Sequence, residues 1–323
     1  MSTAATVSTG RNGRGPIVVV LAVLTVQVIA LALSLAAGRP TAYALFMLAS
    51  AAVLAYAADA GPTGVAAATL GSVLLVALAF PLALFAARQD PTLVAAKLTD
   101  PAVHRMLYLS IYAPLLATLF ALVTGVPLAY LLAEGFPGST VVQSVVDLPL
   151  VVPHSVAGIV VLFGFGAGGA FPRLSVLGTV VGAVLALTFV SAPFAVDGAR
   201  EAFESLDPAV VHAARVHGAN PISAFLRVSL PLSARGILTG AILTWARAVS
   251  EFGAVAIVAY TIRFFYPPAG EVVRSAHAPV FIYQSYLSGS LAESGAISFI
   301  LLGVSVAIFL AIRTAAQERG RVL

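Results

Sequence analysis

The sequence predicts an all-α polytopic membrane protein with about eight transmembrane helices. Of its 323 residues, 60% are hydrophobic and only 9% are charged, whereas about a quarter of the residues in a soluble domain are charged. Such a chain cannot cover a water-facing surface with polar groups. Its apolar runs are continuous and long enough to cross about 30 Å of hydrocarbon, which is typical of membrane helices and not of alternating barrel strands.

Three of the predicted helices lie in the N-terminal region 17–87, after a basic tail at residues 1–16. The first run resembles a signal peptide, but it is longer than the usual apolar region of about 7 to 15 residues. A retained helix is therefore predicted, with cleavage as the alternative. The predicted spans lie near 17–37, 41–58, 65–87, 107–133, 146–167, 174–196, 236–260 and 294–312.

The order of the spans predicts an orientation for the loops. With the N-terminus in the cytoplasm, eight spans place the tail 313–323 and the long loop 198–235 there too, whereas polar segments 88–106 and 261–280 lie outside. Basic residues favour this orientation only slightly. We expect a multi-pass protein of the plasma membrane with both termini in the cytoplasm.

The net charge of +4 and the absence of Cys bound the chemistry further. In a membrane protein, such a charge indicates loops that face anionic lipid rather than a nucleic-acid partner. Without Cys, the chain forms no disulfide and holds no iron–sulfur cluster.

The long inside loop contains two helix starts. Asp207 is a good N-cap, Pro208 is a good first helical residue, and Gly218 is a typical glycine after a helix end. Asn220 and Pro221 then repeat the signal of cap followed by Pro. The loop is therefore predicted to be a helix, a sharp glycine elbow and a second helix.

The first of these two helices exposes mostly Ala and Val. Such a surface fits the groove of another protein or the headgroup layer of a membrane. Its amphipathic pattern alone does not distinguish these alternatives.

The spacing within the loop carries a resemblance to a known family. It has Ala-Ala, three residues, Gly, nine residues, and then Val-x-Leu-Pro. This resembles the EAA loop of ABC importer permease subunits, E-A-A-x₃-G-x₉-I-x-L-P, with His in place of Glu and Val in place of Ile. The resemblance implies that the loop docks on a separate ATP-hydrolysing subunit and couples hydrolysis to transport. The residues in this predicted coupling role are His212, Ala213, Ala214, Arg215, Gly218, Val228, Leu230 and Pro231.

The resemblance extends over the permease core at about 107–312 and does not cover the first two spans. "DLPLVVPHSVAGIVVLFGFG" is similar to a core helix of the family, although His154 replaces a common second Pro. "ARAVSEFGAVAIVAY" followed by "APVFIYQSY" most resembles the tungstate and molybdate permeases, whose Glu-Phe-Gly motif matches Glu251, Phe252 and Gly253. Sulfate permeases have similar motifs. The resemblance implies a homodimer that receives its oxyanion from an extracellular binding protein, with sulfate or another oxyanion as the alternative cargo.

Enzymatic motifs are missing from the sequence. A P-loop needs a Gly-Lys pair, and the single Lys of the chain, Lys97, follows Ala. There is also no H-E-x-x-H and no G-x-S-x-G. We therefore expect a transport subunit without a cofactor of its own, and ATP and Mg²⁺ on the partner ATPase. A secondary transporter or channel is the alternative class, but it would need broken helices in two related halves. A membrane-embedded enzyme is more distant.

Two ionisable residues stand inside the span 236–260, where charges are costly and usually functional. Arg247 and Glu251 are four residues apart, so they share one helix face and can neutralise each other. They form either a structural ion pair or, with Phe252 and Gly253, a gate that faces the translocation pathway.

Prolines and further polar residues complete the candidate set. Pro149 and Pro153 distort the span 146–167 near its inside end, either as a packing kink or as a hinge beside the pathway. Asp147 is expected to cap the start of that helix, with a substrate-sensing role as the alternative, and His104 and His277 are expected to be solvated loop residues.

Overall fold

The protein is described by a computed structural model that covers residues 15–57, 61–166 and 176–319. The chain separates into two compact units, Met1–Gln89 and Asp90–Leu323. The helices of the first unit are α1 (Gly15–Ala36), α2 (Pro40–Ala57) and α3 (Gly61–Ala87). The elements of the second unit are α4 (Pro91–Leu98), α5 (Pro101–Glu134), α6 (Ser139–Val151), α7 (His154–Phe165), α8 (Val180–Glu204), α9 (Pro208–Val216), α10 (Pro221–Ala224), a π-helical turn (Phe225–Ser229), α11 (Leu230–Leu232), α12 (Ala234–Val249), α13 (Gly253–Val258), β1 (Ile262–Tyr266), β2 (Glu271–Ser275), α14 (Ala278–Leu287) and α15 (Leu291–Arg319).

The predicted helical membrane fold is confirmed, but the count of eight spans is not. Within the described ranges, four helices are long and apolar enough to cross a membrane: α3, α5, α8 and α15. Two bent helix pairs raise the number to six when each pair is counted as one span. The tail predicted at residues 1–16 lies mostly outside the described residues, and α15 continues to Arg319 into the predicted tail 313–323.

In the first unit, α1, α2 and α3 pack against one another. The side-chain amide of Gln27 on α1 donates a hydrogen bond of 2.6 Å to the hydroxyl of Ser50 on α2. Gln27 is 2% exposed, so this bond gives a polar group inside an apolar bundle a partner.

The second unit is built on α5 and α8, which make its most extensive helix contact. Every fourth residue of α5 from 113 to 129 is Ala or Gly and is buried. Small residues at this spacing let the backbones approach closely. A Cβ atom on Gly125 would lie 2.9 Å from Cγ2 of Val196 on α8, and one on Gly198 of α8 would lie 2.7 Å from Cα of Gly240 on α12. The glycines therefore allow α12 and α5 to pack closely on α8.

Helices α5 and α8, which we call the scaffold helices, run in the same direction. The second unit therefore has two distinct ends. Near their C-termini, the ring of Tyr130 on α5 contacts those of Phe203 on α8 and Phe225, at centroid distances of 5.3 and 4.8 Å. Near their N-termini, Tyr108 stacks on Phe264 of β1 at 6.0 Å, and Thr179 pairs with β1. We call these the loop end and the hairpin end. Tyr108 and Tyr130, which mark the two ends, are 22 residues apart on α5, a distance of about 33 Å along the helix.

Two predicted spans are broken rather than continuous. The span predicted at 146–167 consists of α6 and α7, which are joined by a bend of 119°. Pro153 lacks an N–H and disfavours helical backbone at Val152, whose ψ is 127°. The span predicted at 236–260 ends as α12 at Val249 and resumes as α13 at Gly253.

Both segments predicted as outside loops have regular structure. Residues 88–106 contain α4 and the start of α5, because Asp90 and Asp100 each cap a helix that begins with Pro. Residues 261–280 contain the antiparallel hairpin of β1 and β2. Its strands alternate between buried and exposed residues, a period-two pattern that indicates a half-buried strand.

Candidate functional site

The loop at the loop end has the predicted helix, elbow and second helix start. Asp207 caps α9 by accepting a hydrogen bond of 2.9 Å from the N–H of Ala209. Gly218 has φ of +90°, which confirms the predicted glycine elbow, because only Gly adopts such a backbone at little cost. Asn220 accepts a bond of 2.7 Å from the N–H of Ser223 and starts the next helix.

The second helix of the loop differs from the continuous α-helix that the sequence predicts. It consists of α10, the π-helical turn Phe225–Ser229 and α11. Phe225 and Leu230 pack into an apolar cluster with Val126, Ala129 and Phe203 of the scaffold. The half-buried Val228 and the exposed Pro231 complete this end of the predicted motif.

The outer side of the loop exposes apolar side chains. No residue of α9 is buried, and Val216 and Ile222 are 84% and 71% exposed. Ala213 and Arg215 are exposed and Ala214 is half-buried. An apolar surface of this kind on a short helix fits a groove in another protein.

A cavity of about 260 Å³ lies between α9 and the ends of the two scaffold helices. His212 and Arg215 line it from α9, and Glu134 and Glu204 line it from the last residues of α5 and α8. Carboxylates are therefore present beside His212, the position at which the EAA loop usually carries Glu.

The predicted pair, Arg247 on α12 and Glu251 in the break after α12, is joined by a third ionisable group. The Nη2 atom of Arg247 donates to Oε2 of Glu251 at 2.7 Å and lies 2.9 Å from Nδ1 of His154. Oε1 of Glu251 accepts a bond of 2.8 Å from the N–H of Ala254. The i, i+4 contact between Arg247 and Glu251 is confirmed, and this cluster is named the charged cluster: His154, Arg247 and Glu251.

Burial in the charged cluster is uneven. The side chain of Glu251 is 1% exposed, whereas those of Arg247 and His154 are 21% and 52% exposed. Arg247 is the fourteenth residue of α12, which places it about 20 Å from the start of that helix. The cluster thus presents a partly exposed cation and imidazole, with the buried carboxylate behind them.

The break after α12 meets the break between α6 and α7. A Cβ atom on Gly253 would lie 2.8 Å from Cβ of His154, and one on Gly158 would lie 2.8 Å from the carbonyl oxygen of Ala254. The glycines therefore allow α7 and α13 to approach closely. The structure brings Pro153, next to His154, together with Glu251 and Gly253, whereas Pro149 lies buried inside α6.

Phe252 lies at the break itself and not within a helix. Its ring is 38% exposed and contacts the ring of Tyr283 on α14 edge-on, with centroids 5.1 Å apart. Sequence reasoning missed His154 and Tyr283 as members of this region. The ionisable ring of His154 inside an apolar run is a signal that identifies it.

Two expectations about polar residues are wrong. Asp147 lies inside α6 and accepts hydrogen bonds of 2.9 and 3.0 Å from the side-chain amide of Gln143, so it does not cap the helix start. That amide also donates to Asp197 of α8 at 2.8 Å. The helix starts further upstream, at Ser139.

His277 is buried rather than solvated. It is 1% exposed, lies between β2 and α14 outside the candidate spans, and its Nε2 is 3.1 Å from the carbonyl oxygen of Val249. Burial lowers the pKa of His277 to about 4. Its contribution to stability is therefore complete above the unfolded-state pKa near 6.5 and falls as the pH drops from there towards 4.

Residues 125–318 match the family model described as "Binding-protein-dependent transport system inner membrane component". This match covers more than half of the chain, and the chain belongs to that family of ABC importer permeases. It is thus a multi-pass membrane transport component.

Individual relatives are consistent with this family. The chain is 36% identical over 249 residues to the molybdate/tungstate transport system permease protein WtpB of Pyrococcus abyssi, covering 76% of this chain and 92% of the relative. It is 29% identical over 247 residues to the probable sulfate transport system permease protein cysT of Helicosporidium, covering 74% and 89%. The fold resembles a bacterial ABC transporter involved in alginate import, with a TM-score of 0.59 at 16% identity over 77% of this chain and 95% of the other.

Proposed function

We propose that this chain is the membrane subunit of a tungstate or molybdate importer. The observation that carries the proposal is the 36% identity to a molybdate/tungstate permease across 92% of that relative. In the proposed transporter, two copies of the chain form a homodimer, and an extracellular binding protein delivers the oxyanion. The more distant similarity to a sulfate permease makes sulfate the alternative cargo.

Energy enters the proposed transporter at the loop end. The exposed apolar side chains of α9 and α10 fit a cleft of a separate ATPase subunit, which holds ATP and Mg²⁺ because this chain has no Gly-Lys pair. Phe225 links the loop to both scaffold helices through its contacts with Tyr130 and Phe203. Movement of the docked loop is therefore passed directly to α5 and α8.

The charged cluster serves as the gate in this proposal. Arg247 attracts an oxyanion, while the buried carboxylate of Glu251 limits the net positive charge and weakens retention. Phe252 forms an apolar constriction beside the cluster, and such constrictions resist hydrated ions. A site of this kind lets the anion pass without binding it tightly.

Uptake by a reconstituted complex tests the proposed function. The permease, its ATPase subunit and the binding protein are placed in proteoliposomes, and accumulation of molybdate, tungstate and sulfate is measured with and without ATP. We expect ATP-dependent uptake of molybdate and tungstate that excess sulfate does not prevent. Uptake of sulfate without uptake of molybdate or tungstate would identify sulfate as the cargo. The proposed class, an ABC importer permease, would be unchanged.

The proposed orientation predicts that Ser205, at the C-terminal end of α8, faces the cytoplasm. The chain has no native Cys, so the Ser205→Cys variant carries one thiol in an exposed position. We expect a membrane-impermeant maleimide to label this variant only after the cells are opened. The control is Ala269→Cys in the hairpin turn, which we expect to be labelled in intact cells. The opposite pattern would reverse the proposed orientation.

Phe252 is predicted to restrict leakage through the resting transporter. Replacing it with Ala removes the ring that contacts Tyr283, and we expect anion flux without ATP to rise while assembly is retained. The matched control is Phe120→Ala, because Phe120 is a half-exposed ring on α5. Equal flux from both variants and the wild type would assign Phe252 to packing alone.

A further inference from the structure

The outer face of the β-hairpin places two arginines directly opposite each other. In the antiparallel register, Arg263 pairs with Arg274 and Phe265 pairs with Val272. Paired residues lie on the same face of a sheet, and all four of these are exposed. The hairpin therefore presents two guanidinium groups beside an apolar pair.

This arrangement is not explained by the stability of the hairpin. Like charges directly opposite each other on neighbouring strands are destabilising. Among the described residues, no carboxylate lies within 4 Å of Arg263 or Arg274, whereas Arg105 at the inner side lies 3.9 Å from Glu271. The packing of the hairpin comes from its inner face, where Ile262, Phe264 and Val273 are buried.

The hairpin is held rigidly in the second unit. Its inner residues belong to the main apolar core, and Tyr108 of α5 contacts the rings of both Phe264 and Tyr266. The N–H of Arg263 donates a bond of 3.1 Å to the carbonyl oxygen of Gly178, next to the start of α8. A surface that is already ordered loses little conformational entropy when a partner binds.

We propose that the outer face of the hairpin docks an acidic surface, with an apolar centre, on the extracellular oxyanion-binding protein. Carboxylates of that protein bind Arg263 and Arg274, and an apolar side chain packs on Phe265 and Val272. This inference rests on the proposed function. It also agrees with the location of the hairpin, at the end of the unit opposite to the loop that meets the ATPase.

The composition of the face favours a protein over the free anion. A small-ligand site is a concave pocket that buries most of its ligand, whereas both arginines are exposed on the outer face of a two-stranded hairpin. Phe265 and Val272 are 58% and 60% exposed, and contact with an inorganic anion would not cover them. Arg and aromatic residues are enriched at protein interfaces and among their strongest contacts.

Binding of the delivery protein to the assembled complex tests this proposal. The permease–ATPase complex is placed in nanodiscs of phosphatidylcholine, and its affinity for the molybdate-loaded binding protein of the same cells is measured. We expect Arg263→Glu and Arg274→Glu each to weaken binding by roughly tenfold or more, with a smaller dependence on salt than the wild type. Phe265→Ala is expected to weaken it by about fivefold or more, as loss of an interface anchor does.

The control is Arg39→Glu, because this exposed arginine between α1 and α2 gives the same change of charge on the side predicted to face outward. The Arg39→Glu complex is expected to bind the oxyanion-binding protein with the same affinity as the wild-type complex. Basal ATPase activity and complex size are compared to confirm that the hairpin variants are assembled.

The possible outcomes distinguish a failure of the docking proposal from a failure of the proposed function. If the wild-type complex binds no oxyanion-binding protein, the importer proposal itself fails. If the wild type binds and the hairpin variants bind equally well, or the Arg39 variant is weakened to the same degree, the docking surface is overturned. Weakening that appears only in nanodiscs with anionic phosphatidylglycerol would assign the arginines to lipid phosphates and would also overturn it.

Discussion

Replacing Glu251 with Gln is expected to lower the free energy of unfolding by about 3 kcal/mol, because it leaves Arg247 without its carboxylate. Breaking a buried ion pair by removing one partner costs about 3 to 5 kcal/mol, and the lower end applies because Arg247 is 21% exposed. The amide can still accept the N–H of Ala254, so most of the loss is electrostatic. Thermal and denaturant unfolding of the purified protein measures the effect.

A matched ion pair on the surface provides the control for Glu251. Arg200 and Glu204 have the same i, i+4 spacing and lie 3.4 Å apart, but their side chains are 33% and 46% exposed. Glu204→Gln is expected to cost less than about 1 kcal/mol. Equal losses for Glu204→Gln and Glu251→Gln would contradict the importance of burial.

The double variant Arg247→Leu/Glu251→Leu separates structure from transport. Replacing both members of a buried pair with apolar residues is often neutral for stability, so we expect this variant to be more stable than Glu251→Gln. If the pair acts in the gate, ATP-driven uptake stays low in the double variant although stability returns. Recovery of both quantities would make the pair purely structural.

Replacing Gly218 with Val is expected to abolish most anion-stimulated ATPase activity while the protein still inserts and folds. A β-branched residue at φ of +90° is strained by about 2 kcal/mol, and no other part of the described structure lies within 4 Å of the added Cβ atom. That strain lowers the population of the elbow conformation by roughly 30-fold. Stimulated ATPase activity and uptake in proteoliposomes are the measurements.

Gly289 is the matched control for Gly218. It has φ of +92° and open space around it, but it lies between α14 and α15, away from the loop. Gly289→Val is expected to cost similar stability and to retain stimulated ATPase activity. A milder variant, Gly218→Asn, is expected to keep part of the activity because Asn tolerates left-handed backbone better than Val does. Full stimulation in Gly218→Val would show that coupling does not need the elbow.

Local signals in the sequence were sufficient for the helix starts and the elbow of the loop, but not for its π-helical turn. Asp207, Asn220 and Gly218 act through their own backbone neighbours, so their capping and elbow roles follow from residue type and position. The contact between Arg247 and Glu251 was also predictable, because side chains four residues apart on one segment lie on the same side of a helical turn. The helical membrane class followed from composition alone.

Contacts between distant segments were not predictable from these signals. His154 joins Arg247 across 93 positions of sequence, and the contact depends on the 119° bend at Pro153, whose size Pro alone does not specify. The hairpin was missed because its charged and Pro-rich residues read as a loop, although buried Ile262 and Phe264 alternate with exposed Arg263 and Phe265. The break at residues 250–252 has no Pro to mark it, and its polar residues, Ser250 and Glu251, also fit a continuous helix that contains an ion pair.

Because of the π-helical turn Phe225–Ser229, the spacing of the loop motif determines how its side chains are rotated about the helix axis. A π-helical turn holds one residue more than an α-helical turn, and each residue of a helix corresponds to about 100° of rotation. Deleting one residue here would restore α-helical winding and rotate Ile222, on the exposed side, relative to Leu230, which packs on the scaffold. The nine residues between Gly218 and Val228 therefore set the direction in which the loop presents its outer face, so a loop of the same composition but one residue shorter would point that face elsewhere.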